Sequence, residues 1–294
     1  MRKKISEKNI FPEFNLYDEY FKIESFLSIK NTVGTYNQFG YRQTPSYTIE
    51  DYIDQLFFNS WNLRGTFTSL SEMRNELGIS KDKLTPENIT EESILDFLQY
   101  ALNCVFRIDS TIESCNAAYL SDKNILEVII QNSQAVLREL NCKMQFNQAR
   151  DEIFVTYNDE IGDVVSVMHP DIKESIVEYK MIDNKRDLNR KGEILCTLSK
   201  KIESVEGMIK GTEYQALLND TTFLLNKTGA RHWVEKDKLA SATFLKMQPK
   251  ELEKWYDTTF DLIVSCLAVL PYLTVKNQIK AIRQTEVTAN ETTI

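Results

Sequence analysis

Apolar positions recur along most of this chain at the three-to-four-residue spacing of a helix buried on one face. The first clear case opens at Thr48, where Asp51 three residues on forms a helix-start pair and Tyr52, Ile53, Leu56, Phe57 and Trp61 follow at helical spacing. A second start at Thr85-Pro86 and Thr90-Glu91-Glu92 leads into Ile94, Leu95, Leu98, Leu102, Val105, Phe106 and Ile112, a stripe that predicts a helix to about Leu120. Ile125, Val128, Ile129, Val136, Leu137 and Leu140 predict another from Asp122 to about Asn147, and the short connection at Ser121-Asp122 makes the two a helical hairpin. Between Ile153 and Met168 the rhythm changes. Ile153, Val155 and Tyr157, a polar Gly-containing break, then Val164, Val165 and Val167 predict a small β-hairpin near residues 153–168.

The helical period returns at Pro170 with Ile172, Ile176, Val177 and Tyr179, and again from Leu188 to about Ile209 with Ile194, Leu195, Leu198, Ile202 and Val205. A shorter helix is expected from Thr212 to about Leu225. The last strong one runs from Gln248 to Tyr272, with Pro249 in its first turn and Leu252, Trp255, Tyr256, Phe260, Ile263, Val264 and Leu267 inward. Residues 1–44 carry Phe11, Phe14, Tyr17, Tyr20, Phe21 and Phe26 without a clean period and read as an irregular aromatic arm that wraps the core. From Thr274 the chain turns polar and Thr-rich and reads as a frayed tail. The expected architecture is therefore mainly α, a helical bundle over 86–274, preceded by an arm and helical extension over 1–85 and followed by a tail over 275–294. Its boundary falls in the polar break at 79–90.

Composition supports this picture and removes several chemistries. Nine Gly and six Pro in 294 residues are few, which favours long uninterrupted helices, and a chain of this length buries a sufficient core without disulfides or metals. The five cysteines show no CxxC pair and only two histidines accompany them, so reduced thiols and no structural zinc are expected. The basic start Met1-Arg2-Lys3-Lys4 is followed by Ser6-Glu7-Lys8-Asn9 where a secretion signal would be apolar. The apolar run Leu262–Pro271 is about half a membrane span, which predicts a buried core helix in a soluble, cytoplasmic protein. A net charge of -8 opposes a broad nucleic-acid surface but not a small basic site. Phosphate-loop, dinucleotide, zincin and hydrolase-elbow motifs are absent. No cofactor is expected.

One cluster carries candidate chemistry: Asn226-Lys227-Thr228-Gly229-Ala230-Arg231-His232-Trp233. Gly229 suits the left-handed residue that ends a helix, and Arg231 and His232 would project just beyond it. An imidazole can move a proton near neutral pH and a guanidinium can hold a phosphate by paired hydrogen bonds, together suiting phosphodiester cleavage without a metal. Lys227, Lys236 and Lys238 add local positive charge. A purely structural account stands beside it, in which Arg231 and His232 cap the helix end with Trp233 packed beneath. His169-Pro170 reads as a turn, and Lys185-Arg186-Asp187 with Arg190-Lys191 as a solvated face.

At this cluster, and over residues 91–272 in helix arrangement, the chain resembles the HEPN superfamily of helical prokaryotic proteins found in abortive-infection and toxin systems. That family places an Arg a few residues ahead of a His near the start of a late helix, whereas here Asn226 stands six residues before His232 and the nearby Arg is its neighbour, Arg231. The resemblance implies a metal-independent endoribonuclease working as a homodimer in antiviral defence, with His232 and Arg231 catalytic, Asn226, Lys227 and Lys236 toward the substrate RNA, and a neutralising or activating protein partner. The alternative is a non-catalytic protein–protein interaction module in which Arg231 and His232 are structural and the aromatic arm and helical core bind another protein.

Overall fold

The computed structural model describes residues 14–36, 42–43, 46–56, 58–114, 119–120, 124–148, 150–185, 187–235 and 240–291. The fold is mainly α, and its chain divides into two compact units between Tyr157 and Asn158. The polar break at 79–90 is a loop inside the first unit.

The first unit begins with α1 (Leu16–Leu27), whose free backbone donors at Tyr17 and Asp18 are taken by the side chain of Asn15 at 2.9 and 3.1 Å. Tyr20, Ile23 and Leu27 are buried, so this part of the expected irregular arm is instead a core helix; Phe11 lies outside the described residues. Strand β1 (Asn31–Tyr36) pairs antiparallel with β2 (Arg42–Gln43), β3 (Ser46–Tyr47) and β4 (Tyr119–Leu120). Next comes α2 (Ile49–Leu56), opened by the reciprocal Thr48–Asp51 bonds that the sequence predicts: Asp51 N–H donates to Thr48 Oγ1 at 3.0 Å and Thr48 N–H to Asp51 Oδ2 at 3.3 Å. A short α3 (Leu70–Glu76) precedes the long α4 (Glu91–Ser114), and α5 (Asn124–Glu139) packs against α4. The connection predicted at Ser121-Asp122 lies outside the described residues.

The hairpin of this unit is β5 (Cys142–Asn147) with β6 (Glu152–Tyr157), in register from Cys142 opposite Tyr157 to Asn147 opposite Glu152. It therefore lies one element earlier than the predicted 153–168. Asn141 takes a left-handed φ of 53°, which stops α5 before the expected Asn147 and turns the chain into β5. Helix α4 completes β6 from the side: the buried Asn103 amide accepts from Ile153 N–H at 2.8 Å and donates to the Ile153 carbonyl, and Gln99 Oε1 accepts from Val155 N–H at 2.7 Å. Two side-chain amides thus satisfy strand groups that would otherwise be orphaned.

In the second unit the run Val164-Val165-Val167 is not strand but part of α6 (Glu160–Met168), because Asp159 caps it by accepting from Gly162 N–H at 2.8 Å. There follow α7 (Lys173–Tyr179), α8 (Leu188–Ile209), α9 (Gln215–Lys227), the short α10 (Ala242–Leu245), α11 (Pro249–Ala268) and α12 (Leu270–Glu291). The predicted stripe of α8, Ile194, Leu195, Leu198 and Ile202, is buried against Tyr256, Phe260, Ile263 and Leu267 of α11. The rings of Tyr179 and Phe260 stack in parallel, with centroids 4.1 Å apart. The expected frayed tail is helical: α12 continues through Glu291. By length and hydropathy, Pro249–Lys280 could cross a membrane, but its α11 part fills the core of this unit. Cys104 and Cys142 are buried in the first unit and Cys266 in the second, while Cys115 lies outside the described residues.

Candidate functional site

The cluster from Asn226 to Trp233 forms where α9 ends. Thr228 Oγ1 donates back to the Leu224 carbonyl at 2.8 Å, and Gly229 takes the predicted left-handed conformation at φ 76°, turning the chain into a 3-10 stretch over Ala230–Glu235. That stretch is kinked at His232, whose φ of -126° and ψ of 61° are not helical. The kink sends successive side chains in different directions. Arg231 turns toward α8, where its Nε meets Glu203 Oε1 at 2.7 Å, while its Nη1 lies 3.5 Å from Asn226 Oδ1 and its carbonyl accepts from the Cys196 thiol. Trp233 lies flat on α8 at Gly192, where any β-carbon would overlap its six-membered ring, and meets Tyr256 edge-on at 6.3 Å.

His232 points to solvent. Its backbone N–H reaches the Gly229 carbonyl at 3.3 Å, and its ring has no hydrogen-bond partner among the described residues. Asn226 and Lys227 are exposed on the last turn of α9, with the Lys227 ammonium 5.6 Å from the centroid of the Phe223 ring. Lys236 and Lys238 lie outside the described residues. The turn therefore combines parts of both sequence readings: Trp233 is packed and Arg231 is tied to its own fold, yet His232 is open. The Arg231 guanidinium is paired with Glu203, so a phosphate would have to displace that carboxylate to be held by it.

Ionisable groups are buried elsewhere in two places that sequence reasoning missed. In the first unit Arg74, from α3, forks between Glu24 (2.8 Å) and Glu50 (2.7 Å), and donates twice to the Ile79 carbonyl, at 3.0 and 3.3 Å. Tyr100 adds a donor to Glu50 at 2.7 Å. Burial works against the guanidinium's charge, but the hydrogen bond to Glu24 and the carboxylates of Glu50 and Glu24 outweigh it and hold Arg74 more firmly protonated than a free arginine. A cleft of about 280 Å³ beside this network is lined by Glu50, Asp51, Asp54, Arg74, Ser80 and Lys81. The donors of Arg74 are spent on protein acceptors, so the network braces α1, α2 and α3 and offers no free charge to a ligand.

In the second unit Lys191 corrects the expected solvated face: it is buried, and its ammonium meets Glu253 and Asp257 of α11 at 2.8 Å each and lies 5.4 Å from the centre of the Tyr179 ring. Tyr179 donates to Asp257 at 3.0 Å, and burial together with that carboxylate raises its pKa far above the usual tyrosine range. Lys180, also buried, pairs with Asp163 at 2.8 Å. Arg190 is exposed but paired with Glu178 and Glu193, and Arg186 lies outside the described residues. Both buried lysines are engaged by carboxylates, which suits bracing and not nucleophilic chemistry. His169 sits at the predicted turn between α6 and the 3-10 turn Pro170–Ile172, with Nε2 buried and without a hydrogen-bond partner among the described residues. Burial, then Lys201, lower its pKa; the Leu267 backbone and Asp171 oppose them.

Sequence reasoning also missed two apolar faces that the second unit leaves uncovered. Ile161, Val164 and Val167 are exposed on α6, and Tyr272, Val275, Ile279 and Ile282 on α12. Spacing was the available signal on α12, but Lys276, Lys280 and Arg283 between those residues gave the segment the composition of a polar tail. Among the described residues no group of three or more His, Cys, Asp or Glu is placed to hold a metal ion. No family model, curated protein or solved structure matches the chain.

Proposed function

We propose that this protein is a non-catalytic helical interaction module whose second unit binds another protein through apolar side chains left on its surface. The observation that carries the reading is the exposure of large apolar residues in rows on α6 and α12, with Val167 at 76% and Ile282 at 60% exposed. Rows of this kind mark contact surfaces, whereas single exposed apolar residues need no explanation. The Arg231 side chain agrees with it, being engaged by Glu203 and Asn226.

A second reading is favoured by one observation: the ring of His232, next to Arg231, is open to solvent and has no hydrogen-bond partner among the described residues. On that reading the protein is a cytoplasmic, defence-type homodimer that binds RNA and cleaves it without metal, His232 moving the proton and Arg231 exchanging Glu203 for phosphate. Incubation of the purified protein with total bacterial RNA in EDTA separates the two. The interaction module leaves the RNA intact with wild type and His232→Ala alike. Cleavage by wild type that disappears in His232→Ala would replace it with the ribonuclease.

A further inference from the structure

We infer that the outer face of α12 is a docking site for an amphipathic helix of another protein, one that carries acidic side chains beside its apolar seam. This rests on the interaction reading above and names the surface and the partner's chemistry. Tyr272, Val275, Ile279 and Ile282 follow one another at intervals of three, four and three residues, so they fall on a single line along the helix. They are exposed at 51%, 48%, 42% and 60%, while Leu270 and Leu273 on another side of the same helix are buried. The line is held in place at its start, where Tyr272 meets Tyr214 edge-on at 6.2 Å and Lys276 pairs with Glu213 at 2.6 Å.

The flanks of the line select the occupant. Lys276, Lys280 and Arg283 run along one side of it, and the neutral Thr274 and Gln278 along the other. No carboxylate occurs from Leu270 to Thr285, in a chain of net charge -8. Lys280 and Arg283 have no ion-pair partner among the described residues. Two copies of α12 packed antiparallel would set the basic flank against itself; packed parallel, basic residues would face neutral ones. Neither pairing supplies an opposite charge, whereas a helix with Glu or Asp beside its seam supplies one at every turn. The apolar line is also narrow, the seam of a two-helix contact and not the broad apolar face with which helices lie in a membrane surface.

The test uses the full-length protein and two fluorescein-labelled synthetic helices with identical Leu seams, one flanked by Glu and the other by Lys, read by fluorescence anisotropy. The Glu helix is expected to bind about tenfold or more tighter than the Lys helix, and less tightly as salt rises. Ile279→Asp should abolish binding with at most a small shift of the thermal melt, because that side chain is 42% exposed and outside the buried core, and Lys280→Glu with Arg283→Glu should reverse the preference between the helices. Equal binding of both helices, or of neither, overturns the inference. So does dimerisation by light scattering, or co-sedimentation with phosphatidylglycerol–phosphatidylcholine vesicles, if either is lost in Ile279→Asp. Such a result with RNA left intact removes the acidic helix but not the interaction reading; RNA cleavage lost in His232→Ala removes that reading whatever the helices do.

Discussion

The indole of Trp233 rests directly on the α-carbon of Gly192, in a space that no other residue type leaves open. Gly192 lies inside α8, where an alanine would ordinarily stabilise the helix by up to about 1 kcal/mol. Here its methyl group would overlap the ring, so Gly192→Ala is expected to destabilise the protein by about 1–3 kcal/mol. Urea denaturation reads the sign directly. The double variant Gly192→Ala with Trp233→Leu should recover part of the loss, and its failure to do so would mean that the two residues do not oppose each other.

Arg74 is the shared cation of two carboxylates drawn from different helices, Glu24 of α1 and Glu50 of α2. Replacing it by Met leaves Glu24 to Lys81 and Glu50 to the Tyr100 hydroxyl, without the buried cation they share, and a loss of about 3 kcal/mol is expected for a buried pair broken from one side. Arg74→Lys should fall between, since an ammonium cannot fork to Glu24 and Glu50 and still reach the Ile79 carbonyl. Equal midpoints for Arg74→Met and wild type in urea would show that the network adds nothing to stability.

Asn103 serves both backbone groups of Ile153. Asn103→Ala leaves that donor and acceptor unpaired in a closed setting, a cost of about 1–3 kcal/mol. Amide exchange at Ile153 should accelerate along with the fall in stability. An unchanged exchange rate would mean that the hairpin does not depend on the α4 amide.

The His169 pKa is lowered in the folded protein from its ordinary value of 6.5, burial being the largest cause and Lys201 the next. Below that ordinary value the unfolded chain takes up a proton that the fold resists, so this residue's contribution to stability is complete above 6.5 and is lost as pH falls toward the folded pKa. Melting temperature should therefore drop between about pH 7.5 and 5.5, and His169→Gln should flatten that slope. A slope unchanged by the substitution would assign the drop to other groups.

What could be read from the sequence follows from where the physics is local. The stripes of α4, α8 and α11 were legible because each repeats its period over several turns, and the Thr48–Asp51 start because a cap is a matter of neighbouring residues. The hairpin lies elsewhere than predicted for a local reason: Asn141 and Asp151, both at positive φ, bracket Met144 and Phe146, which by spacing alone continue the helical stripe of α5. Conversely, the β-branched Val164-Val165-Val167 imitates a strand, and the Asp159 cap commits it to helix. In the candidate cluster Gly229's turn was legible from residue type. The partner of Arg231 was not, because Glu203 is 28 residues away in sequence and reaches it only through the packing of the intervening chain. The burial of Lys191 was hidden for the same reason, its carboxylates Glu253 and Asp257 lying on α11.

The sealed thiols give each unit its own chemical clock. Alkylation needs both a thiolate and a path to it; burial pushes the Cys104 and Cys266 thiols up and closes the path to both, as it does to Cys142 in the first unit. A reagent such as iodoacetamide can mark these sulfurs only when the surrounding structure opens. Mass mapping of the modified peptides across a urea series would therefore time the two openings separately, and would show whether the division at Tyr157 is also a division in cooperativity.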